Sequence, residues 1–90
     1  MTVCYHRHAD LRLTALEGEG VVLHMGTRTY FTVTETGLTI LEALTTPKSF
    51  DQLVDAITAE YEVDRPKAAE SVQKFLDRCL GASLILEQAC

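Results

Sequence analysis

Three residues of metal-ligand type alternate at the start of this 90-residue chain: Cys4, His6 and His8. Alternate residues of an extended segment point to one side, so the three could face one ion, with Cys90 as a fourth donor. The spacing argues otherwise. Structural zinc sites show Cys-x2-4-Cys or His-x3-5-His spacing, and the sequence contains neither. Chain ends also fray readily, so residues 1–9 are read as a flexible polar arm without a metal. Cys79 is the remaining thiol of interest. It falls on an apolar helical stripe, where a small thiol packs. Activation would need a neighbouring base or cation, and nothing local places His6, His8 or His24 against it. Glu17 and Glu19 flank a turn as solvated groups, and there is no phosphate-cradling glycine loop. The sequence therefore predicts no catalytic residue, no metal and no cofactor. It predicts a binding protein rather than an enzyme.

Ninety residues make a single domain, 1–90, and a chain of this size buries only a little over ~60% of its unfolded surface. The formal charge is −5, from eight basic and thirteen acidic residues. Nucleic-acid binding rests on phosphate neutralisation by Lys and Arg, so this balance argues against it. Acid concentrates at Asp51, Asp55, Glu60, Glu62 and Asp64, with Arg65, Lys67, Lys74 and Arg78 following. An acidic middle helix beside a more basic last helix could guide a charged peptide, although such faces are commonly just solvated. Cys4, Cys79 and Cys90 are odd in number and widely spaced, which is not a secreted disulfide framework. The first residues carry no apolar signal-peptide core, and the apolar runs are too short to cross a bilayer. A reduced, cytoplasmic setting away from membranes is expected.

The elements that would position any site are readable from periodicity. Leu11, Leu13 and Ala15 alternate with Arg12 and Thr14, as in a strand with one buried face. Gly18-Glu19-Gly20 supplies a turn tolerant of positive φ. Val21–Met25 forms a second strand, ended by Gly26-Thr27, and Thr29–Val33 a third, made only of β-branched and aromatic residues. Short connections predict an antiparallel meander with the second strand in the middle. At Thr34 the period changes. A helix over about Glu35–Leu44 has Thr34 as N-cap, and Gly37 in its first turn implies close approach to a strand. Ser49 and Gln52 fit a capping box ahead of a stripe from Phe50 to Tyr61. Asp64 caps a third helix with Pro66 in its first turn, ending at Gly81. Ser83–Leu86 is a short apolar tail, either a last strand or a cover for the sheet.

In such a meander the third strand is an edge, and edges are normally guarded by lysine, proline or a covering element. Thr29–Val33 contains no charge, proline or glycine. The strand is open to β-augmentation, in which a peptide pairs with its backbone, unless the tail at Leu84–Leu86 or a second subunit covers it. An exposed edge can also pair with its own copy to give a homodimer.

Gly20-Val21-Val22-Leu23-His24, then Arg28-Thr29-Tyr30-Phe31-Thr32-Val33-Thr34-Glu35-Thr36-Gly37, resemble the strands and helix entry of the PqqD-like peptide chaperones. These are also known as recognition elements for ribosomally made, post-translationally modified peptides. Ile40–Leu44, Phe50–Val54, Tyr61–Asp64 and Phe75–Leu80 follow in the family's order, so the likeness runs from about Leu11 to Leu86. Val33-Thr34 stands where Leu-Asn is usual, Leu41 replaces a common aromatic, and Gly81–Ile85 is longer than the usual Gly-Leu-Ile. The resemblance implies an α+β, winged-helix-like fold, a three-stranded antiparallel β-meander followed by three α-helices. It also implies that a precursor's leader peptide pairs with the third strand and lies in the groove beside the third helix. The domain would then deliver the peptide to a modifying enzyme such as a radical SAM protein, a cyclase or a leader peptidase. Carried over by position, Arg28, Thr29, Tyr30, Phe31, Thr32 and Val33 supply the strand, with Phe31 and Val33 facing the helices. Ser71, Val72, Lys74, Phe75 and Arg78 supply the helix side. The alternative is a winged-helix DNA-binding regulator, for which residues 64–80 offer a net charge of only +1.

Overall fold

Alternating side chains after Leu11 and a run of β-branched and aromatic residues up to Val33 favour pairing of consecutive segments through short turns. The computed structural model, which describes residues 2–90, has this arrangement. Its elements are β1 (Val3–Arg7), β2 (Leu11–Leu16), β3 (Glu19–His24), β4 (Thr29–Thr34), α1 (Glu35–Ala43), β5 (Lys48–Ser49), α2 (Phe50–Glu60), α3 (Arg65–Gly81) and β6 (Ile85–Ala89). Strands β2, β3 and β4 form an antiparallel meander with β3 central. Only Glu17 and Gly18 separate β2 from β3, and Gly18 takes the left-handed φ of 76° that this turn requires. The β3–β4 connection is longer, and there Arg28 rather than Gly26 carries the positive φ, 57°.

One face of the meander carries Leu11, Leu13, Val22, Phe31 and Val33, and the helices pack on it. Leu41, Leu53, Ile57, Val72 and Leu76 fill the space between sheet and helices, essentially without exposure. Each large side chain buried in this way contributes roughly 1.5–3 kcal/mol. The helix starts are satisfied by the predicted caps. The Thr34 hydroxyl accepts from the Gly37 amide at 3.1 Å, Ser49 and Gln52 exchange side-chain-to-backbone bonds, and the Asp64 carboxylate accepts from the Lys67 amide.

Two expectations are corrected, the loose arm and the unpaired terminal cysteines. Residues Val3–Arg7 are not a loose arm but the central strand of a second sheet, ordered β5-β1-β6, because β1 has a partner on each side. Of the two alternatives for the apolar tail, a last strand rather than a cover for the meander is the one present. It continues as β6 and pairs antiparallel with β1, from Arg7 opposite Ile85 to Val3 opposite Ala89. That register brings the two ends together, and Cys4 and Cys90 form a disulfide with Cα atoms 5.1 Å apart. Only Cys79 is a free thiol. α3 ends at Gly81 as expected, and just beyond its end Ser83 takes the left-handed conformation, with φ 59°. Leu84 and Ile85 then turn inward and are buried. No helix among the described residues is long and apolar enough to cross a membrane.

Candidate functional site

Because the tail pairs elsewhere, β4 has only one strand partner among the described residues, β3. The Thr32 carbonyl accepts a bond from the Arg78 guanidinium of α3 at 3.2 Å, so it points away from β3. Antiparallel alternation then turns the backbone groups of Tyr30 and Thr32 outward and those of Phe31 and Val33 toward β3. The side chains sort by face. Val33 is buried and Phe31 half-buried against the core, whereas Tyr30 and Thr32 on the other face are exposed, Tyr30 to 70%, as is Thr29 at the strand's start. Arg28 lies outside the strand, in the turn that leads into it.

α3 runs beside this edge. Ser71, Lys74, Phe75 and Arg78 are on one helical face, spaced three and four apart, and with Thr34 they line an open groove of about 290 Å³. Phe75 is half-buried and forms its apolar wall. Gly37 explains that placement. A Cβ there would stand 2.7 Å from the Phe75 ring, so glycine in the first turn of α1 makes room for an aromatic from α3, not for a strand as expected. Val72 does not belong to the groove. It is fully buried with Leu76 and Cys79 on the core side of α3. Sequence reading also missed Thr34, whose capping role concealed its position at the groove's end.

The groove is basic at its rim. The Lys74 ammonium pairs with Glu70 at 2.9 Å, and that bond holds the Glu70 carboxyl below its ordinary range. Arg65, farther up the helix, is tied to Asp55 and Asp51 of α2. Two of the four cations on α3 are thus neutralised by neighbours, which removes the continuous basic face a DNA-reading helix needs.

The alternating ligands at the N-terminus are not brought together. Cys4 is bonded to Cys90, and His6 stays in β1. The His8 ring lies against His24 with centroids 4.5 Å apart. In each of those rings Nδ1 accepts a backbone N–H, from Asp10 and from Thr27 respectively. Among the described residues no group of three or more His, Cys, Asp or Glu could hold a metal ion. The Cys79 thiol is buried, and desolvation pushes its pKa up to about 12, the opposite of an activated nucleophile. A second opening, of about 760 Å³, lies along β2, where Arg7 and Arg12 are mixed with Asp10 and Glu42. It presents neither a single sign of charge nor an apolar floor.

A meander whose β4 edge is open and flanked by a groove on the last of three helices defines a small α+β binding domain. Residues 19–85 match the family described as coenzyme PQQ synthesis protein D (PqqD). The chain belongs to the PqqD family. Among solved structures it is similar to TbiB1 in complex with the TbiA(beta) leader peptide, with a TM-score of 0.75 and 32% identity over 89% of this chain and 93% of that one. Lasso peptide synthetase B1 complexed with the leader peptide shares the fold, with a TM-score of 0.73 and 18% identity over 91% of this chain and 96% of the other. No curated protein sequence matches.

Proposed function

We propose that this protein binds the leader segment of a ribosomally made precursor peptide as an added strand on β4 and delivers the peptide to a modifying enzyme. The observation that carries this reading is the outer edge of β4, left without a strand partner among the described residues and bordered by the Phe75 groove. An added strand would use the outward backbone groups of Tyr30 and Thr32, while its side chains reach Ser71, Lys74, Phe75 and Arg78. The similarity to TbiB1, whose structure holds a leader peptide, supports the same choice of ligand. The protein itself acts as a non-catalytic accessory. The radical SAM protein, cyclase or leader peptidase that it serves supplies the chemistry. The reading includes a cytoplasmic setting, where ribosomal precursors are made, with Cys4 and Cys90 bonded rather than reduced. Without peptide, the same edge is open to a second copy, giving a homodimer that peptide would dissolve.

Titration with the cognate precursor should shift the backbone amides of Thr29–Val33 and of α3 in NMR spectra. Shifts confined to the β5-β1-β6 sheet would reject the reading. Thr32→Pro removes an outward donor without costing a bond to β3, so it should weaken peptide binding more than it lowers stability.

A further inference from the structure

The edge of β4 has no guard within its own sequence, but the fold supplies one from a neighbouring helix. Arg78 differs from Arg65 and Lys74 on the same helix. Among the described residues it has no carboxylate within ion-pair distance, and its guanidinium donates instead to the Thr32 carbonyl. That carbonyl is one of the outward acceptors an added strand must use. A lysine or proline in the strand would protect the edge permanently. An arginine on a long, exposed stem can withdraw. The side chains lining the adjoining groove are Thr34, Ser71, Lys74, Phe75 and Arg78, and with Lys74 already paired to Glu70, Arg78 is the cation there left to meet a carboxylate.

Resting on the strand-addition reading, we propose that Arg78 is a displaceable guard of the β4 edge, and that its release selects peptides carrying an Asp or Glu. The backbone N–H of the incoming strand takes over the Thr32 carbonyl. The guanidinium turns to the carboxylate of the same peptide, exchanging a bond to a neutral carbonyl for a charge-assisted, potentially bidentate one. A peptide without the acid must still displace Arg78 but offers it no new partner. The specificity of the site therefore comes from the exchange as well as from the groove.

The test selects a random dodecapeptide display library in parallel on the wild-type protein and on Arg78→Ala. The peptides are fused at their C-termini, so that only side-chain carboxylates are offered. Selected peptides that shift the Thr29–Thr34 amides should carry Asp or Glu at a constant position when chosen on the wild type, and no such preference when chosen on Arg78→Ala. Replacing that acid by its amide should weaken binding to the wild type about ten-fold and to Arg78→Ala by less than about two-fold. Arg78→Lys, which keeps the charge but not the fork, should fall between them. Peptides lacking the acid should bind Arg78→Ala at least as tightly as the wild type. β4-directed binders with no acidic preference would overturn the proposal and leave strand addition standing. So would an acid-to-amide penalty that persists in Arg78→Ala. If no selected peptide shifts β4 amides, strand addition itself falls, and the guard with it.

Discussion

The molecule contains two three-stranded sheets built by opposite means. In the β2-β3-β4 meander every strand pairs with its neighbour in sequence, and an outer edge is left open. In the β5-β1-β6 sheet the partners come from the two ends of the chain and a two-residue strand ahead of α2, and a disulfide closes it. Local pairing has a low loop-closure cost, so the meander needs no covalent support. Pairing residues 78 to 86 positions apart costs more entropy, and the second sheet offsets this with the Cys4–Cys90 bond and the burial of Leu84 and Ile85. The difference separates two tasks. One sheet anchors the chain, and the other is free to accept a strand.

Breaking the anchoring sheet should have the largest effect on stability. Cys90→Ser removes a cross-link spanning 86 positions, which on chain-entropy grounds is worth about 4 kcal/mol. Thermal unfolding should report the loss, while peptide affinity at β4 changes little at a temperature where both forms are folded. A parallel loss of affinity would show that the two sheets are not independent. Val22→Ala strikes the meander's central strand at a position with no exposure. It should cost about 2 kcal/mol by denaturant titration and disturb the β4 amides as well. Gly37→Ala separates site from scaffold. Its new methyl pushes the Phe75 ring into the groove, and a helix-propensity gain of up to ~1 kcal/mol offsets part of the strain. Stability should therefore hardly move, while peptide affinity falls in a calorimetric titration.

The smallest effect concerns Cys79, which lies in the core that both sheets share. Its pKa is raised by burial from the ordinary 9.0 to about 12, so the unfolded chain loses that proton first. The stabilisation is complete below the unfolded value and is lost as pH rises from 9.0 toward 12. Tyr5, raised from 10.0 by burial and then by Glu87 and Asp77, acts with the same sign at the top of that window. Comparing alkaline unfolding of Cys79→Ala with the wild type isolates the thiol's share. Iodoacetamide at pH 8 should leave the native protein unlabelled and label it once in denaturant, as read by mass spectrometry.

What could be read from the sequence follows the same division. The meander, the three caps and the buried stripes are written in residues at most four apart, so Thr34, Ser49 and Asp64 announce their helices. The open edge was legible as well, since Thr29–Val33 lacks every usual guard. The second sheet was not, because nothing in Cys4-Tyr5-His6 locally specifies Leu86-Glu87-Gln88 as its partner. The same limit hid the disulfide and the Arg78–Thr32 bond, which joins residues 46 apart. Gly37 was noticed as an anomaly, but naming Phe75 as its cause required the packing of α1 on α3. Gly81 was legible as the last residue of α3, but the left-handed turn just beyond it, at Ser83, was not.

The bond between Cys4 and Cys90 turns all but three residues of the chain into a covalent ring. Replacing that bond by a short peptide linker and cutting the ring elsewhere would give a circular permutant with every other contact intact. The exposed Thr45–Pro47 loop is a natural opening, since it lies outside both the β4 edge and the groove. Such a permutant would move both termini to a new face, and with them the point at which any fused enzyme is held relative to a peptide on β4.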